Sequence, residues 1–162
     1  MRKTPTEYTL KTSQQTLREG IAEYYQRNPH VTDPATQSDD FAKVLASHDA
    51  LHVIYGLTTD MYDELKLLVL SWWTSECTFG EYLKMKNTPA VDVMYDDMIK
   101  EKGTLWLYTR ILRTLPKLLV ELPLLRLQTK DWPKRLPFFD YEILLDKTLL
   151  EIRQDYNLLQ FM

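Results

Sequence analysis

Only four glycines occur among 162 residues, and no stretch alternates apolar and polar side chains for long. Half-buried strands need that alternation and tight hairpins need glycine, so helices must carry nearly all the regular structure. The expected fold is all-α, a single domain over residues 1–162 built as a bundle of about six to seven helices. Within it, 1–37 forms an N-terminal helix and loop, and 38–162 the core. Hydrophobic residues at 44% and charged residues at 27% suit one packed core rather than a disordered tail.

Twenty Lys and Arg stand against 23 Asp and Glu. That balance argues against a protein held to nucleic acid by phosphate neutralisation. The lone Cys77 excludes an intramolecular disulfide framework and a multi-cysteine zinc site. Met1 to Leu10 carries Arg2, Lys3 and Glu7 without an apolar run, so it reads as neither a secretory signal nor a span. The expected location is cytoplasmic, with peripheral contact at the inner face of a membrane through a surface helix.

Punctuation places the helices. Ser13 opens a first helix, with Leu17, Ile21, Tyr24 and Tyr25 as its apolar positions, and Asn28-Pro29 closes it. Ser38 caps a second helix over 39–55, which Gly56 ends in the left-handed conformation. A third runs from Met61 to about Glu76; its interior, Leu65 to Trp73, is apolar nearly all round and calls for burial or a second subunit. A fourth covers Val91 to Lys102 before Gly103, and a fifth Leu105 to Leu115 before Pro116. Leu115 to Leu127 holds seven leucines and reads as a kinked core helix, or else as an amphipathic surface helix touching a bilayer. A final helix spans Phe138 to Tyr156, with Tyr141, Leu144, Leu145, Leu149 and Ile152 on its buried stripe.

At 100° per residue, Phe41, Val44, Leu45, His48, Leu51, His52 and Tyr55 share an arc of roughly 120° on the second helix. Both histidines therefore sit in the face that must be buried. A single histidine there is more often a hydrogen-bonded core residue, but two at i and i+4 stack one turn apart and can share a metal ion. A further acidic ligand would offset part of the metal's charge. Glu64, in the first turn of the third helix, is the natural candidate, against its plain reading as a helix-dipole carboxylate. Asp49 flanks the pair as another ligand, a second-layer partner or a base.

The pattern His48-Asp49-x-x-His52, then eleven residues, then Glu64, resembles the HDxxHx11E hallmark of the coenzyme Q biosynthesis protein four family, in its bacterial form. Tyr141-Glu142 and Arg153 resemble further positions of that family. The resemblance implies an all-helical fold and a divalent metal held by His48, His52 and Glu64 with Asp49 beside it. Zinc is the first choice, magnesium and iron the alternatives. It also implies work in ubiquinone-type biosynthesis on a prenylated hydroxybenzoate, replacing the C1 carboxylate by hydroxyl, within a complex at a membrane surface. Asp49 would then be the catalytic residue.

A prenylated precursor needs apolar walls, which the leucines of 65–73 and 105–127 supply. Arg110, Arg113, Lys117 and Arg126 could hold a carboxylate or phosphate at the mouth of such a groove. Part of this apolar surface could instead form a homodimer interface. Two other functions use the same residues. One is a non-catalytic prenyl-lipid-binding or scaffolding protein of a quinone biosynthetic complex. The other is a helical metal phosphohydrolase reading His48-Asp49 as its dyad, with His30 and one of Asp92, Asp96 or Asp97 as further ligands.

Overall fold

The computed structural model describes residues 6–31, 34, 39–78, 80, 99–100, 103–132 and 134–162. It is all-α, with no strands among the described residues. Five α-helices are described: α1 (Leu17–Arg27), α2 (Asp39–Tyr55), α3 (Met61–Thr74), α4 (Thr104–Thr129) and α5 (Leu149–Asp155). Single 3-10 turns cover Glu7–Thr9, Tyr141–Leu144 and Leu158–Phe161. The chain divides into two compact units, one formed by Met1–Thr59 with Lys134–Met162 and the other by Asp60–Pro133.

The first unit is organised by two matching helix starts. Thr16-Leu-Arg-Glu19 and Thr148-Leu-Leu-Glu151 each form a capping box, in which the threonine accepts from the glutamate's backbone N–H and the glutamate side chain accepts from the threonine's. The two capping threonines, Thr16 and Thr148, pair as an isolated antiparallel bridge. First-turn N–H groups of α1 and α5, which no helix can satisfy internally, therefore donate across it: Leu17 to the Lys147 carbonyl, Arg18 to Leu145, Leu149 to Gln15 and Leu150 to Ser13. The first helix thus begins at Leu17, not Ser13, because Thr16 is the bridge and cap residue and the Ser13 carbonyl is taken by the Leu150 N–H.

α1 packs on α2, and α2 on α5. Gly20 permits the close approach: a Cβ there would lie 2.5 Å from Val53 Cγ1 and 3.2 Å from Leu149 Cδ1. Gly20→Ala gains about 1 kcal/mol of helix propensity but forces a stiff valine to move, an overpacking cost of about 1–3 kcal/mol. Urea unfolding should show a net loss of about 1 kcal/mol, and a more stable variant would mean that the two helices can separate freely.

α2 occupies the expected 39–55, while its expected cap Ser38 lies outside the described residues. Its end is the expected left-handed glycine, with Gly56 at φ 66°. The Leu57 N–H reaches the His52 carbonyl and the Gly56 N–H that of Val53, a Schellman closure completed by the buried Leu57.

In the second unit α3 packs on α4. Contacts step along both helices in the same sense: the Tyr62 hydroxyl donates to Glu121 and its ring carries Lys117, while Trp73 carries Arg126. The expected helix over 91–102 lies mostly outside the described residues, although Gly103 does follow it with φ 83°.

The predicted stop at Pro116 is overturned, since α4 runs unbroken through Pro116 and Pro123. Each proline costs the helix about 3 kcal/mol. Burial of Leu118, Leu125 and Thr129 on one face holds the helical course across both. Nor is this segment a core helix, because only Leu118 and Leu125 of its leucines are buried while Leu119, Leu124 and Leu127 are exposed. The continuous final helix is also corrected. Tyr141–Leu144 is a 3-10 turn, and α5 starts only after Thr148, whose capping box sets a new helix origin. Merging at Pro116 removes one of the expected six to seven helices, and the expected 91–102 helix lies mostly outside the described residues, which leaves the five described.

Candidate metal centre

α2 carries both histidines, and its C-terminal half, from Asp49 to Tyr55, is the longest continuous buried run among the described residues. His52 is 0% exposed, and the His48 side chain is 41% exposed. Their rings meet edge-on with centroids 4.8 Å apart, as the i, i+4 spacing requires. The Tyr24 ring stacks on His52 at 5.5 Å and an interplanar angle of 22°, which sets the plane of that imidazole from α1. Glu64 sits in the first turn of α3, its N–H bonded to the Asp60 carbonyl.

One ligand atom from each of His48, His52 and Glu64 lies within 4.8 Å of the other two. Zinc bonds of about 2.1 Å place ligand atoms roughly 3.4 Å apart in a tetrahedron. Two imidazole nitrogens and one carboxylate oxygen suit zinc with a fourth position open, and the same donors suit iron as a facial triad. The group can thus hold a metal ion.

Asp49 does not join these three donors. Expected at the edge of the buried stripe, it is buried at 2% exposure, because α1 covers that side of α2. The Tyr25 hydroxyl donates to Oδ2 at 2.8 Å and the Tyr24 hydroxyl to Oδ1 at 3.4 Å. Oδ1 also lies 3.5 Å from His48 Nδ1. Asp49 is thereby aimed at the ring nitrogen that can face away from the metal, the usual place for a carboxylate that orients a ligand histidine. The Tyr141 phenol stands nearby, and burial, then the carboxylates of Glu142 and Asp49, push its pKa above the ordinary value.

Tyr24 and Tyr25 are the functional residues that sequence reasoning missed. On the sequence they are only apolar positions of α1, and nothing in their spacing points to Asp49. Arg153 was visible only as a position of likeness, whereas the structure makes it the anchor of α2. Its guanidinium is fully buried and donates to the Val53 and Ile54 carbonyls at the end of α2, and to those of Tyr8, Leu10 and Lys11. His30, a ligand in the phosphohydrolase reading, stays on an exposed turn after α1, and Asp92, Asp96 and Asp97 lie outside the described residues.

No family model, curated protein or solved structure matches this chain.

Proposed function

We propose that the chain is a metal-dependent protein of ubiquinone-type quinone biosynthesis that binds a prenylated hydroxybenzoate and carries out its oxidative decarboxylation at C1, the carboxylate leaving as carbon dioxide and dioxygen serving as the oxidant that supplies the hydroxyl oxygen. The observation that supports this most is the convergence of donor atoms from His48, His52 and Glu64 within 4.8 Å. The HDxxHx11E spacing supports the family, and with it the substrate class. A bound divalent cation would supply Lewis acidity toward the substrate's carboxylate or phenol oxygen.

The chain's own residues do the rest. Half-exposed His48 leaves the centre open on one side, while buried His52 and Tyr24 close the other. Asp49, steadied by two tyrosine hydroxyls, orients His48 and is placed to hold a proton at Oδ1.

Asp49→Asn tests the chemistry. Asparagine keeps the shape and can still accept from Tyr25, so metal content and the circular dichroism spectrum should match wild type. Restoration of quinone synthesis, in a host lacking its own enzyme for this step, should fall at least tenfold. Full rescue by Asp49→Asn would remove Asp49 from the reaction. Lipid binding without rescue even by wild type would leave a non-catalytic lipid-binding protein.

A further inference from the structure

α4 is amphipathic in an unusual sense, since its exposed side is the apolar one. Taking Leu105 as zero and 100° per residue, Leu118, Leu125 and Thr129, the buried positions, fall between about 200° and 240°. Opposite them, within about 60° either side of zero, lie eight apolar residues, Leu105, Tyr108, Leu112, Pro116, Leu119, Val120, Pro123 and Leu127, with Thr109 and Arg126 in the same arc. All eight are exposed, Leu105 and Val120 to 78% and 79%. The stripe runs the length of a 26-residue helix, about 39 Å at 1.5 Å per residue. A contiguous apolar surface of that extent marks an interaction site.

Charge selects the occupant. The whole chain is net acidic at minus 3, yet residues 104–130 carry Arg110, Arg113, Lys117, Arg126 and Lys130 against a single acid, Glu121. The five cations are exposed, whereas Glu121 accepts from the Tyr62 hydroxyl on the packed side. Arg113, Lys117 and Arg110 fall at about 80° to 140°, between the apolar stripe and the packed face. In that flanking position the alkyl stems lie along apolar surface and the charged heads reach outward. Leucines and a tyrosine on the outer face with lysine and arginine at its border are the pattern of a helix lying in a bilayer interface. No helix among the described residues is long and apolar enough to cross a membrane, so contact would be along the surface. The prolines fit as well. Each removes an N–H that would have served the Leu112 or Leu119 carbonyl, and on the stripe those oxygens face outward, within reach of water or headgroups.

We infer that the Leu105–Leu127 face of α4 docks the protein on an anionic lipid surface, with the leucines in the acyl boundary and Arg110 and Arg113 on headgroup phosphates. This rests on α4 alone; it deepens the quinone reading by naming the surface through which an isoprenoid substrate is met.

Full-length protein is sedimented with vesicles of phosphatidylcholine alone and with vesicles containing about one third phosphatidylglycerol. Wild type should bind the anionic vesicles and release from them in high salt. Arg110→Gln with Arg113→Gln should weaken that binding about 25-fold, roughly fivefold per cation. Leu112→Ser with Leu119→Ser should weaken it at least tenfold. All four positions are exposed, so melting temperature and helical content should not change, and metal content reports on the metal site independently. Wild type that ignores anionic vesicles, or variants that bind as well as wild type, would overturn the inference. So would a stable dimer that Leu112→Ser with Leu119→Ser converts to monomer, because the stripe would then belong to a second copy.

Discussion

His52→Ala and His48→Ala proteins are each expected to lose a divalent cation that wild type retains through dialysis. With three protein donors converging among the described residues, removing one leaves a two-ligand site. Loss of an outer partner of a ligand already weakens metal binding 10- to 100-fold, so loss of the ligand itself should exceed about 100-fold. The two variants separate binding from folding. His52 is fully buried against Tyr24, and its removal opens a cavity worth about 3 kcal/mol, by comparison with other buried aromatic rings. His48 is partly exposed, so His48→Ala should keep nearly wild-type stability while losing the metal. Elemental analysis of the dialysed proteins beside their unfolding curves reads both effects. Equal metal in wild type and His48→Ala would remove the proposed centre.

Arg153→Met is expected to be the most destabilising single change in the first unit. Methionine fills a similar volume but donates nothing. Four carbonyl oxygens, those of Tyr8, Leu10, Val53 and Ile54, lie 2.6 to 3.0 Å from the guanidinium nitrogens. Each buried carbonyl stripped of its donor costs about 1–3 kcal/mol. Even with Val53 still served by the Gly56 N–H and Leu10 by the Ser13 N–H, the loss at Tyr8 and Ile54 should reach about 4 kcal/mol, against a typical overall stability of about 5–15 kcal/mol.

Burial pulls the Arg153 pKa down to about 10, so the group is still a cation at neutral pH. The C-terminal end of a helix dipole, where α2 presents Val53 and Ile54, is a favourable place for that cation. Lysine can follow the charge but not the planar fork, and Arg153→Lys should recover only part of the loss. Thermal and urea unfolding give the comparison. A neutral or stabilising Arg153→Met would mean that the desolvated charge costs as much as its hydrogen bonds return.

Local rules were enough for α2. Its length, its left-handed stop at Gly56 and the shared face of His48 and His52 follow from 3.6-residue periodicity and from glycine's freedom at positive φ. The choice of Glu64 was legible too, since a short connection limits how far the first turn of α3 can lie along the chain from His52. The all-α class followed from scarce glycine and absent alternation in the same way.

What escaped were the outcomes set by competition between distant segments. Proline reads as a stop on any isolated helix, yet α4 passes both prolines because Leu118, Leu125 and Thr129 are buried, and burial is a property of the packed chain. The two capping boxes were present as Thr16-x-x-Glu19 and Thr148-x-x-Glu151, but that they would meet, 132 residues apart, and divide the C-terminal segment at Thr148 depends on the bridge between them. Asp49 looked like an edge residue on α2 viewed alone. α1 laid Tyr24 and Tyr25 over it, turning a half-exposed carboxylate into a buried, hydrogen-bonded one. Arg153 shows the same limit most sharply. Periodicity can place it on a buried face, but a charge is tolerated there only because two separate stretches of backbone, Tyr8 to Lys11 and Val53 to Ile54, bring carbonyl oxygens to it, and no pattern within seven residues of α5 encodes where those carbonyls come from.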